Sequence, residues 1–84
     1  MGETIYDPAD FGRLLRLNRK EYGLTQRQAA ELCGVSPRLW LECETGKRSN
    51  VSFDTALRML QTVGLDLKAE RRRSGKPEGT SADA

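Results

Sequence analysis

Residues 23–47 read GLTQRQAAELCGVSPRLWLECETGK, and the order of caps and stops in this stretch decides the fold. Thr25 and Gln28 stand in the T-x-x-Q order of a capping box, just before Ala29, Ala30 and Leu32, so a helix opens here. Gly34 stops it. Ser36 then offers a capping hydroxyl, and Pro37 brings a preset φ to the first helical position. The helix they start runs to about Thr45 and halts at Gly46. Only Gly34 and Val35 separate the two helices, and glycine suits the left-handed backbone such a turn needs. The positions that face the core are Ala29, Cys33, Val35, Trp40 and Cys43, none of them charged. Small Ala30 falls where the two helices cross closely. Both cysteines thus land on buried positions and read as small core hydrophobes.

Outward from this pair, the pattern stays helical on both sides. Asp7-Pro8 marks a turn or helix start, and an apolar stripe of Phe11, Leu14, Leu15 and Tyr22 runs from Asp10 to a stop at Gly23. Arg13, Arg16, Arg19 and Lys20 occupy its other faces. Beyond a polar loop at 46–51, Ser52 caps a further helix with Asp54 in its first turn, where a negative charge suits the dipole. Its stripe is Phe53, Ala56, Leu57, Leu60 and Val63, and Gly64 ends it. The period then changes to two: Leu65, Leu67 and Ala69 alternate with Asp66, Lys68 and Glu70, which predicts a short strand. A lone strand leaves its backbone groups unpaired. Its partner is either the segment 4–6 or, more naturally, the same strand of a second copy, which predicts a homodimer. The chain therefore divides into an N-terminal arm at 1–9, a folded and dimerising domain at 10–70, and a disordered polar tail at 71–84, RRRSGKPEGTSADA.

Composition narrows the function. The 84 residues suit one small domain, 37% apolar and 31% charged, with a net charge of only +2. Histidine is absent, which removes the commonest general base and the commonest zinc ligand together. Cys33 and Cys43 form no C-x-x-C pair, and there is no Gly-rich phosphate loop. An enzyme, a metal site and a cofactor are all unsupported, and a reducing cytoplasm is the simpler setting. No run approaches the ~20 apolar residues that span a membrane, and the start MGETIYDPAD is unlike a signal peptide. Residues 10–50 carry eight basic and five acidic side chains, a local excess of +3.

A turn this short containing Gly suits a helix-turn-helix unit, and the full spacing is more specific than the turn. Residues 11–47 resemble the Cro/C1-type (XRE) helix-turn-helix family in the spacing of Arg16 and Arg19, G-L-T-Q at 23–26, G-V-S at 34–36 and E-x-G-K at 44–47. The segments TIYDP at 4–8 and FDTALRMLQTVGL at 53–65, with the strand behind them, are similar to HipB-type antitoxins. Those are small dimeric repressors encoded beside a HipA-like kinase toxin. The resemblance implies an all-α, lambda-repressor-like domain of four to five helices, with a short C-terminal strand paired across a dimer.

It also implies roles. The helix at 37–45 would enter the major groove of double-stranded operator DNA, with Pro37, Arg38, Leu41 and Glu42 on base-facing positions. Gln26 and Ser36 would contact phosphates, and Lys47 and Arg48 would clamp them. Arg19 and Glu44 would form a partly buried salt bridge between the first and third helices, and Leu65, Leu67 and Ala69 the dimer strand. The implied protein is a cytoplasmic, nucleoid-associated dimeric repressor of its own operon, with a HipA-like kinase toxin as second partner. Glu42 has an alternative role as an i+4 partner of Arg38. Three residues depart from the family pattern: Pro37 cannot hydrogen-bond a base, Trp40 replaces a smaller aliphatic residue, and Ala29 replaces Leu. A large ring at 40 filling the space left at 29 would reconcile the last two. Leu39 and Leu41 suit either DNA or protein contact. The alternatives to an antitoxin are a stand-alone regulator and a protein-interaction module that has kept this fold.

Overall fold

The computed structural model describes residues 2–71. It has four helices in the order α1 (Pro8–Glu21), α2 (Gln26–Cys33), α3 (Pro37–Glu44) and α4 (Phe53–Thr62). The local chemistry at each start is visible. The Asp7 carboxylate accepts the Asp10 N–H at 2.9 Å, while Asp10 accepts the Tyr6 N–H, so α1 begins at Pro8, earlier than its apolar stripe alone suggests. Thr25 and Gln28 make both bonds of the capping box on α2. Ser36 caps α3 and Ser52 caps α4. Gly34 takes a φ of +82° in the α2–α3 turn, a left-handed conformation that L side chains resist.

The core lies where α1 and α2 pack on α3 and α4 closes over α2. Leu15, Ala29, Ala30, Trp40, Met59 and Val63 are its most deeply buried members. Cys33 and Cys43 belong to the same cluster as free thiols. Burial pushes the Cys43 thiol above its ordinary pKa, so it stays protonated. Val35 and Leu39 are half-buried against the cluster. Gly12 makes the closest crossing: a Cβ there would overlap the carbonyl oxygens of Cys43 and Glu44, so α1 meets α3 backbone to backbone.

Two predicted stripes are corrected. Tyr22, the residue that ends α1, is 62% exposed with its ring lying over Gly64, and Phe53, the first residue of α4, is 67% exposed. Met59, which the α4 stripe omits, is fully buried. Residues 65–71 take no regular structure, and no strand occurs among the described residues. A strand exists only through a ladder, and within one chain the segment 4–6 does not supply it. Leu65 is half-buried, while Leu67 and Ala69 are exposed. Apart from Arg71, the predicted tail at 71–84 lies outside the described residues. Among those residues no helix is long and apolar enough to cross a membrane.

Candidate nucleic-acid interface

The start of α3 stands free of the core. Ser36 Oγ accepts the Leu39 N–H at 3.0 Å, which fixes the first turn, and Pro37 needs no donor there. From this turn Pro37, Arg38 and Leu41 face outward, and Glu42 lies half-buried one turn on. With Gln26 and Lys47 they line a concavity of about 650 Å³ between α2 and α3. Six of the eight predicted DNA-contacting residues thus share one surface. Ser36 lies at the entrance of α3 as its cap, and Arg48 reaches the same face by bonding Glu42. Arg27 and Thr45 complete the lining. Thr45 was readable from its place four residues after Leu41, on the same helix face. Its hydroxyl is turned back onto the carbonyls of Leu41 and Glu42.

Beneath this face lies a buried ionic centre. Arg19 and Glu44 form a two-pronged pair, Nε to Oε2 at 2.5 Å and Nη2 to Oε1 at 3.0 Å. Arg19 also donates to the Leu24 carbonyl at 2.7 Å. Glu44 accepts two further bonds, from Trp40 Nε1 at 2.5 Å and from Gln26 Nε2 at 3.0 Å. One carboxylate therefore ties α1, α2 and α3 together. Among the described residues no buried side-chain polar atom lacks a partner. Burial alone would raise the Glu44 pKa, but the bonds from Arg19, Gln26 and Trp40 outweigh it and hold the carboxyl below its usual value. The Trp40 and Gln26 bonds carried no sequence signal, since spacing marks a position as buried without showing which polar atom it meets.

Glu42 is bonded on both oxygens. Oε1 accepts from Arg48 Nε at 3.0 Å and Nη2 at 2.7 Å, and Oε2 accepts from Arg38 Nε at 3.3 Å. These bonds, that from Arg48 foremost, hold its carboxyl below the ordinary range, so it is ionised at neutral pH. Arg38 bonds only through Nε, and its side chain is 85% exposed, which leaves the terminal nitrogens facing solvent.

A pair of helices, α2 and α3, joined by a tight glycine turn, the second capped and facing outward with cations at its rim, has a known counterpart. The family model described as a helix-turn-helix domain matches residues 10–74, most of the chain. The chain belongs to the XRE-type helix-turn-helix family. This helix-turn-helix protein is 39% identical over 77 residues to the HTH-type transcriptional regulator y4mF of Sinorhizobium fredii, spanning 87% of this chain and 100% of that one. Among solved structures it resembles the restriction-modification controller protein C.AhdI of Aeromonas hydrophila, at 30% identity and a TM-score of 0.64 over 70% of this chain and 88% of that one. The same fold occurs in HipB within its O2 20mer complex, at 22% identity and a TM-score of 0.72 over 84% and 97% of the two chains. By family the chain is a transcriptional regulator and not an enzyme.

Proposed function

We propose that this helix-turn-helix regulator is a sequence-specific repressor that binds an inverted repeat at its own promoter as a dimer, and that it is the antitoxin partner of a HipA-like kinase. One observation supports the DNA reading above others: Arg38 stands exposed on the second residue of the capped α3, beside a cationic rim of Arg27, Lys47 and Arg48. An arginine fork at that end of a recognition helix is suited to guanine O6 and N7. Pro37 and Leu41 beside it offer apolar contact to a thymine methyl group. Gln26 gives one amide N–H to Glu44, and its other N–H and the start of α2 remain for a phosphate. Repression would be steric, through occupation of the promoter.

The antitoxin reading rests on the segments 4–8 and 53–65, and the HipB likeness adds agreement of fold. A kinase must bind away from the DNA face. Leu24, Gln28, Glu31 and Leu32, with Leu32 69% exposed, line a separate hollow that meets this condition.

The test is fluorescence anisotropy with the duplex from just upstream of the gene and a scrambled control, at two salt concentrations. Tight binding to the first alone, weakened by salt and relaxed by Arg38→Ala, is the expected result. Equal weak binding to both would overturn autoregulation. Co-expression with the product of the adjacent gene then decides the antitoxin role. A stable complex and loss of kinase toxicity support it, and no complex leaves a stand-alone regulator.

A further inference from the structure

We infer that Glu42 reads no base: it is a positioning residue that locks the phosphate-clamping segment at 47–48 to the base-reading Arg38. The inference rests on α3 being the recognition helix and assigns Glu42 a different role there from direct contact with a cytosine amine. Three observations carry it. Both carboxylate oxygens already accept arginine bonds, so a cytosine amine would have to displace one of them. The side chain is only 25% exposed, whereas Arg38 beside it is 85% exposed. The main chain acts in the same sense: the Glu42 carbonyl accepts the Lys47 N–H at 2.9 Å and the Arg48 N–H at 3.3 Å. Carbonyl and carboxylate of one residue thus fasten the turn after α3 at two points.

The consequence is mechanical coupling. Arg48 reaches phosphate with Nη1, because Nε and Nη2 are held by Glu42. Arg38 reaches a base with its terminal nitrogens, because Nε is held. A shift of the backbone clamp displaces the base reader, so only a duplex that satisfies both binds tightly. Glu42 also leaves the trio with a net charge of +1 in place of +2, which restrains binding to arbitrary DNA through phosphate attraction alone.

The experiment compares wild type with Glu42→Gln, after thermal melting shows that the variant is folded. Binding is measured on an operator panel substituted at each base, and on random duplex. The expected variant keeps the wild-type base preference at every position, binds its operator about tenfold more weakly and binds random DNA at least as well, so discrimination falls. In wild type the losses from Arg38→Ala and Arg48→Ala are non-additive, and in the Glu42→Gln background they become additive. A switch of the preferred base from cytosine to adenine at one position would show direct reading and overturn the inference, as would additive losses in wild type. A second readout needs no DNA: the Arg48 Nε–H resonance is protected from solvent exchange in wild type and loses protection in Glu42→Gln. A freely exchanging Arg48 in wild type sinks the lock even if the operator binds. A protected Arg48 with no operator binding sinks the repressor reading instead.

Discussion

Glu44 carries more of the fold than any other single charged residue. Its side chain is 1% exposed and its partner Arg19 9%, so removing either charge strands the other in the interior. Glu44→Gln is expected to destabilise the domain by about 3–5 kcal/mol, read from urea unfolding. A loss under about 1 kcal/mol would mean that water solvates Arg19 and that the pair is not structural. The same carboxylate sets the acid limit. Its folded pKa lies below the ordinary glutamate value of about 4.3. Its contribution is therefore complete above that value and is lost as pH falls through the lower, folded one. Wild type should hold a constant melting temperature from neutrality to about pH 5 and lose it below about pH 4, with the acid-side decline reduced in Glu44→Gln. Gly12 is the complementary case. Glycine inside a helix reads as a propensity cost, yet here a methyl group would strike the carbonyls of Cys43 and Glu44. Gly12→Ala should destabilise by about 1–3 kcal/mol, although helix propensity alone predicts a gain. Nothing local in the sequence marks this glycine, because the contact joins residues more than thirty positions apart.

At the level of elements, the caps were legible and the packed faces only partly so. Thr25, Ser36 and Ser52 act on N–H groups within three residues, so their spacing is sufficient evidence. Tyr22 and Phe53 lie on the apolar stripes yet are exposed, because a periodic stripe shows which face is apolar but not how much of each side chain a neighbouring helix covers. Trp40 shows what a departure from family pattern can mean. It and Ala29 are both fully buried in one cluster, consistent with a large ring filling the space that a smaller residue leaves. Trp40→Ala should cost about 3–5 kcal/mol in unfolding free energy, through the cavity and the lost bond to Glu44. The sharper test is a double-mutant cycle. Ala29→Leu alone should overpack the site, and Trp40→Leu in the same chain should restore part of the loss. Purely additive losses would show that the two positions do not compensate.

On the scale of the whole molecule, the folded unit leaves one end unfinished. Leu65 is half-buried and Leu67 exposed in a segment whose alternation suits a strand, and a groove of about 450 Å³ runs there past Ile5, Leu14 and Leu60. The alternation was legible in the sequence, whereas the ladder was not, because its other half does not lie in the described part of one chain. If a second copy supplies that half, self-association and DNA binding are linked. Leu67→Asp should then leave the far-ultraviolet helical signal intact and shift sedimentation from dimer to monomer. The linkage has an electrostatic readout as well. Arg27, Lys47 and Arg48 place three cations at the rim of each protomer's DNA face. Each neutralised phosphate contributes about −0.9 to the slope of log affinity against log salt, so a half-site should give roughly −3 and a dimer on the full repeat roughly −5. Wild type on the full repeat should show the steeper slope, and Leu67→Asp the shallower one on either duplex. Equal slopes for the two proteins would place dimerisation elsewhere than residues 65–69, since losing the second protomer must remove its phosphate contacts.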